Sequence, residues 1–103
     1  PGVAWTQEYA DQRMQADAIR FARGVLTVVK VTLSDNWLCA LSDFAYNLGL
    51  GNLNASTLLK KVNSEAPVEE ILFQLRRWVN GGGRRLPGLV LRREYDCSLI
   101  VLG

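Results

Sequence analysis

Apolar side chains recur in steps of three and four over most of the chain, the spacing that lines one face of an α-helix. The first such stretch, TQEYADQRMQADAIRFARGVLTVV, places Tyr9, Ala10, Met14, Ala18, Ile19, Phe21, Ala22, Val25 and Leu26 on the repeating positions. It predicts a long amphipathic helix with Thr6 as N-cap, weakened in its last turn by Gly24. After a linker at Lys30–Leu33, Ser34 is placed to cap a second helix. Its apolar residues, Trp37, Leu38, Ala40, Leu41, Phe44, Ala45 and Leu48, cover much of the circumference, which predicts the most buried helix of the fold. Gly49 and Gly51 stop it. Asn54 or Ser56 starts a short third helix through Leu58, Leu59 and Val62. Pro67 suits the first turn of a fourth, where its missing N–H costs nothing; Glu69 and Glu70 then sit near the positive end of the helix dipole, ahead of Ile71, Leu72, Leu75 and Trp78. Pro87 opens a fifth through Leu89, Val90, Tyr95 and Leu99. With no two-residue hairpin flanked by alternating strands, the expected fold class is all-α, a compact bundle of about five helices.

The joint between the last two helices, GGGRRLPGLVLRRE at 81–94, combines glycines with basic pairs. A phosphate loop of the Walker type needs a Gly-Lys-Ser/Thr ending after a strand, and neither is present; a dinucleotide fingerprint fails for want of the strand as well. What remains is a glycine joint with Arg84 and Arg85 near a helix N-terminus, where free N–H groups assist anion binding.

Length allows one domain, residues 1–103, since 103 residues are too few for two cores of ordinary size. Apolar residues at 49% against 21% charged mark a folded protein and exclude a disordered tail. The net charge of +2 is unevenly spread: residues 1–51 hold four basic and five acidic side chains, residues 52–103 eight basic and five acidic. An anion-attracting surface is therefore expected in the second half, against the plainer alternative that the basic pairs are solvated helix faces. So small a charge, without a recognition-helix motif, disfavours nucleic acid as a partner.

The chain has no histidine, which removes every His-dependent catalytic triad and the commonest metal ligand. Cys39 and Cys97 stand far apart beside apolar neighbours; that spacing suits neither a zinc site nor a disulfide framework, and buried thiols are the expectation. Neither a cofactor nor a metal is implied. No apolar run approaches the ~20 residues of a membrane span. The chain begins with Pro-Gly in place of Met, which suggests a processed or excised piece.

Four segments, KVTLSDNWLCALSDFAYNLG at 30–49, STLLKKVN at 56–63, RRWVNGGGRRLPGL at 76–89 and RRE at 92–94, resemble in order and spacing the phage-type lysozymes, endolysins that hydrolyse bacterial peptidoglycan. The resemblance covers nearly all of this chain and implies the C-terminal helical lobe of that family. The family's essential glutamate, in a short N-terminal helix, and its hairpin pattern Y-D--G--TIG-GHT are not among these residues. Glycoside hydrolysis needs one acid to protonate the leaving oxygen and a second group to stabilise or attack the sugar centre. Glu69 and Glu70 read as dipole partners, Glu8 and Asp11 as solvated carboxylates, and Glu94, beside Arg92 and Arg93, as held ionised. No catalytic residue is therefore assigned.

By the same resemblance, Tyr46, Asn47, Leu48 and Gly49 border the sugar cleft, Tyr46 stacking on substrate and Asn47 hydrogen-bonding to it, with Arg85 facing the cleft. From residue types alone, Tyr46 is equally a partly buried helix residue and Asn47 a turn residue. Ser56, Thr57, Trp78 and Pro87 read as caps, a core anchor and a helix start. Two functions follow. One is a lobe that binds peptidoglycan glycan without hydrolysing it alone, or works with a separate catalytic lobe. The other is a lysozyme-derived protein that regulates or inhibits a protein partner, such as an intact endolysin, through an uncovered apolar face built from the first helix and the tail Leu99–Leu102. The resemblance leaves the compartment open between the bacterial cytoplasm and the cell wall.

Overall fold

The computed structural model describes residues 19–81 and 83–103. The expected cap at Thr6 and the apolar positions Tyr9, Ala10, Met14 and Ala18 lie outside the described residues. Helix α1 is described over 19–28, followed by α2 (Asp35–Leu48), α3 (Leu50–Ala55), α4 (Thr57–Asn63), α5 (Val68–Arg76), the two-residue strands β1 (Asn80–Gly81) and β2 (Arg84–Arg85), and α6 (Pro87–Leu102). The all-α class holds, with six helices instead of five.

Local chemistry explains most of the boundaries. The Ser34 hydroxyl accepts the Trp37 N–H at 3.2 Å, and the Ser56 hydroxyl accepts the Leu59 N–H at 3.0 Å while donating to the Leu53 carbonyl at 2.7 Å. Each side chain thus satisfies one of the N–H groups that a helix start leaves unpaired. Ser56, not Asn54, is the cap of α4, and Thr57 is already helical. Pro67 caps α5, and Pro87 stands at the start of α6. Gly49 ends α2 with φ 97°, a conformation that favours glycine.

Gly51 does not act as a stop. The chain turns at Gly49 and restarts at once as α3, which contains Gly51 and Asn52; the Asn52 amide donates to the Leu48 carbonyl, and Leu53 is buried in the core. Weak helix formers at 51, 52 and 54 hid this turn from the periodicity, and one buried leucine suffices to hold it. Gly24, expected to weaken α1, has a packing reason: a Cβ there would lie 2.7 Å from Leu50 Cδ2, so α1 and α3 approach closely at this point.

The core is continuous across the helices. Val25 of α1, Leu41 and Phe44 of α2, Leu58 of α4, Leu75 of α5 and Ile100 of α6 are all buried in it. Helix α2 packs on α6 and α3, and α5 packs on α6 and α4, so α2 and α6 form the central seam. The T-shaped contact of Phe44 with Trp78, 5.2 Å between centroids, bridges that seam to the residues after α5; Trp78 is partly buried, as an anchor should be. Trp37 reaches the other end of the seam and donates from Nε1 to the Ile100 carbonyl at 3.1 Å.

Two expectations are corrected. The joint at 81–94 contains a small antiparallel ladder, Asn80 opposite Arg85 and Gly81 opposite Arg84, with Gly83 at φ 83° in its turn. Its strands are too short to show alternation, so nothing in the residue pattern announced it. Cys97 is buried, and burial pushes its thiol above the ordinary range, but Cys39 is exposed on the outer face of α2.

Asn63 ties the end of α1 to the end of α4. Its Oδ1 accepts the Lys30 N–H at 2.7 Å and its Nδ2 donates to the Val28 carbonyl at 3.2 Å, which answers two backbone groups where α1 finishes. Asn63→Ala is expected to destabilise the fold by about 1–2 kcal/mol, partial solvation softening the loss of both bonds. Asn63→Asp, keeping the acceptor and losing the donor, should fall between; urea midpoints of the three proteins check this.

Candidate functional site

The residues singled out from the sequence lie at the C-terminal end of α2 and on the hairpin before α6. Tyr46 is 56% exposed, and its ring meets Phe21 of α1 edge-on at 5.5 Å between centroids and 87° between planes. Phe21 props one side of the ring while a face remains open to solvent. Leu48 is partly buried and packs on the core, so it supports this end of the helix, and Gly49 turns the chain. Arg85 lies on β2, ahead of the first turn of α6, and is exposed. It borders a hollow of about 420 Å³ with Pro87, Val90 and Leu91. Among the described residues no hydrogen bond or ion pair links Arg85 to residues 46–49; Tyr46 contacts Phe21 of α1 whereas Asn47 faces Arg92 and Arg93 of α6, so the two adjacent positions serve different neighbours.

Asn47 is the residue whose surroundings most exceed expectation. Its Oδ1 accepts from Arg93 Nη2 at 2.9 Å and from Arg92 Nε at 3.2 Å. Two guanidinium donors fix which end of the amide is the oxygen. For the Nδ2 end no partner is found among the described residues.

Arg93 is wholly buried, 0% exposed, contrary to the expectation of a basic pair on a solvated helix face. Removing a guanidinium from water costs several kcal/mol unless its donors are answered, and here they are. Nε donates to Asp96 Oδ2 at 2.9 Å, Nη2 to Asn47, and Nη1 weakly to the Trp78 carbonyl at 3.5 Å. The guanidinium carbon stands 5.3 Å from the centroid of the Phe44 ring, a favourable cation–π placement where water is excluded. Asp43 completes the group. Its Oδ1 is held by Arg92 Nη2, and its Oδ2 lies 3.7 Å from Arg93 Nη2.

Asp96 is also 0% exposed. Burial, then the neighbouring Asp43 carboxyl, push its carboxyl up to about 8, against the opposing pull of Arg93. Asp43, Arg92, Arg93 and Asp96 were not singled out from the sequence as one group. The available signal was the spacing of Asp43 with Asn47, four apart on α2, and of Arg93 with Asp96, three apart on α6, beside the buried Cys97 and Ile100. Bringing the two pairs together requires the contact between helices 45 to 50 positions apart, which periodicity does not carry.

Glu94 is ionised for a different reason from its sequence neighbours. Arg76 grips it in a fork, Nε to Oε2 at 2.9 Å and Nη2 to Oε1 at 3.2 Å, and this hydrogen bonding holds the carboxyl below the usual range. Glu70 pairs with Lys61 at 2.7 Å. Among the described residues no group of three or more His, Cys, Asp or Glu side chains is placed to hold a metal.

The helical architecture and this chain's sequence both have relatives. The family model described as phage lysozyme matches residues 1–96. A SAR-endolysin of Bacteriophage PS119 is 35% identical over 103 residues, which are 100% of this chain and 61% of that protein. Among solved structures, the muramidase domain of SpmX from Asticaccaulis excentricus superposes with a TM-score of 0.82 at 28% identity, covering 94% of this chain and 68% of that one. The endolysin from Escherichia coli O157:H7 phage FAHEc1 gives 0.81 at 26% identity, covering 97% and 65%. The chain thus spans about three-fifths of the length of the SAR-endolysin it matches. With nearly its whole length matched by the model, the chain belongs to the phage lysozyme family.

Proposed function

We propose that this chain is a peptidoglycan-binding helical unit of an endolysin, which holds glycan along the C-terminal edge of α2 and hydrolyses none by itself. The observation that carries this is the fixed amide of Asn47, one position along α2 from the half-exposed ring of Tyr46. An aromatic face beside an oriented N–H donor is the pairing that sugars with acetamido groups require: the ring covers an apolar sugar face, and the donor meets a carbonyl or hydroxyl oxygen. Leu48 and Gly49 shape the edge from behind, and Arg85 is assigned to the same ligand at its far end, toward the anionic peptide portion of the wall.

Carboxyl chemistry among the described residues supports the absence of turnover. A retaining glycosidase sets its two carboxyl groups about 5–5.5 Å apart across an open cleft, and an inverting one sets them farther apart. Asp96 has the raised pKa of a proton donor, yet it is fully buried beside Asp43, so no sugar oxygen reaches it. Glu94 is accessible but ionised in the grip of Arg76. Hydrolysis would then require a separately supplied acid.

A second function, capture of a protein partner, is favoured by one observation. Leu91 and Tyr95, one turn apart on α6, are 72% and 55% exposed, and Val101, Leu102 and Phe73 are exposed as well. The expected apolar face shifts accordingly. From α1, Ile19 and Leu26 are exposed while Phe21 packs on the core; in the tail, Ile100 is buried. Met14 lies outside the described residues.

In a pull-down on purified peptidoglycan, the chain should be retained, and Asn47→Ala should lower retention about tenfold or more, the loss expected when one oriented hydrogen bond and its ordered neighbours go. Equal retention of the variant, or none of the parent, removes Asn47 from the role. In a zymogram the isolated chain should clear no cell-wall substrate; clearing would refute the non-catalytic assignment.

A further inference from the structure

Two buried oxygens in the α2–α6 seam have no hydrogen-bond partner: Asp43 Oδ2 and Asp96 Oδ1. Both belong to carboxyl groups whose other oxygen is taken, Asp43 Oδ1 by Arg92 and Asp96 Oδ2 by Arg93. Ionised carboxylates only accept hydrogen bonds. If both groups were charged, two acceptors would be orphaned in a dry seam and would also repel each other. One proton placed between them turns two orphaned acceptors into a donor and its acceptor.

We propose that Asp43 and Asp96 share a single proton across the α2–α6 seam, and that this proton keeps Arg93 divided between Asp96 and Asn47, so that Asn47 presents the N–H end of its amide outward.

The surrounding charges agree with this. From α6 itself, Arg93 faces Asp96 and, at 3.7 Å, Asp43 Oδ2, while Arg92 faces Asp43 Oδ1. From α2 come Asp43 and the neutral Asn47 amide. Beyond the end of α5 the Trp78 carbonyl meets Arg93, and the charged pair Arg76–Glu94 closes on itself elsewhere on α6. With two guanidinium charges and one net carboxylate, the shorter contact of Arg93 Nη2, 2.9 Å, goes to the neutral Asn47 oxygen while Asp43 Oδ2 stands at 3.7 Å. A second full negative charge on Asp96 would compete for that donor, and Asn47 would lose its stronger anchor. The raised pKa of Asp96, brought about first by burial and then by Asp43, points the same way.

The sign of the pH dependence is fixed by linkage. The folded chain holds this proton more tightly than the unfolded chain, whose aspartate has an ordinary value of 3.8, while the folded value lies at about 8. The stability contribution is complete below pH 3.8 and declines as pH rises toward about 8, with a slope approaching tenfold in the unfolding constant per pH unit from this group alone.

The proton does not depend on what Asn47 binds; only its use in ligand binding rests on the glycan function above. The test is a carbon-detected NMR titration of the aspartate-labelled chain, read together with the Asn47 side-chain amide. One carboxyl of the pair should remain protonated until about pH 8, and the Asn47 amide protons should shift with the same midpoint. Asp96→Asn supplies a permanent N–H donor in place of the proton, so it should leave the Asn47 amide at its low-pH position throughout and flatten the decline in stability toward pH 8. Ionisation of both carboxyls below about pH 5 would overturn the shared proton. A late-ionising pair that leaves the Asn47 amide unmoved would overturn the positioning role. If Asp96→Asn does not fold, the parent titration decides both points, and peptidoglycan retention by Asn47→Ala reports separately on the ligand.

Discussion

The burial of one guanidinium governs the centre of this structure. Apolar packing between α2 and α6 is non-directional and tolerates sliding, whereas the donors of Arg93 leave a rigid plane in fixed directions and must all be met once water is gone. Asp96 on the same helix, Asn47 on the facing helix, the Trp78 carbonyl beyond α5 and the face of Phe44 meet them. Those partners come from three separate parts of the chain, so satisfying Arg93 sets the register of α6 against α2 and brings the residues after α5 into place. The neighbouring T-shaped pair, Phe44 with Trp78, uses the same alignment. A slip of one turn along the seam would leave a buried charge without partners, which costs far more than the loss of a few apolar contacts.

Elements whose cause is local were legible in the sequence. Ser34 and Ser56 mark helix starts because each hydroxyl accepts an N–H three residues on, while Gly49, Pro67 and Pro87 mark helix ends through their own backbone conformations. Features whose cause is tertiary were not. Helix α3 exists because Leu53 reaches the core and α1 leaves room for Leu50 beside Gly24; its own residues favour a loop. Likewise, Arg92-Arg93 looked like the other basic pairs, yet one arginine is buried and the other lies at the surface on Asp43. Sequence alone gives neighbours in a pair the same prospects. The difference arises because position 93 lies three residues before Asp96 and four before Cys97, on the inward side of α6. Of the site itself, Tyr46 and Asn47 were reached through resemblance, and the reason Asn47 is held as it is came only with the contact between the two helices.

Helix α6 buries Cys97 and Ile100 as an ordinary amphipathic helix would, yet it departs from that pattern at other positions. It turns Arg93 and Asp96 inward while Leu91, Tyr95, Val101 and Leu102 stand outward. Amphipathic helices normally show the reverse arrangement, polar out and apolar in. The inward charges are accounted for by the seam. The outward apolar residues contribute nothing to the core described here, and no other described residue buries them, which is what supports a partner-binding function beside glycan binding.

A strongly perturbed carboxyl is often the mark of a catalytic acid, and Asp96 shows why acidity alone is insufficient evidence. The same features that raise its pKa, complete burial and the neighbouring Asp43 carboxyl, deny its proton to any substrate. General acid catalysis requires the proton to be within reach of the leaving oxygen before its acidity matters at all. The physical role open to such a group is exerted through what it touches. Asp96 touches Arg93, Arg93 touches Asn47, and Asn47 is the first member of that chain with a polar group not committed to the seam. A perturbed acid set two contacts behind the surface fits the support of binding geometry, and it does not fit bond cleavage.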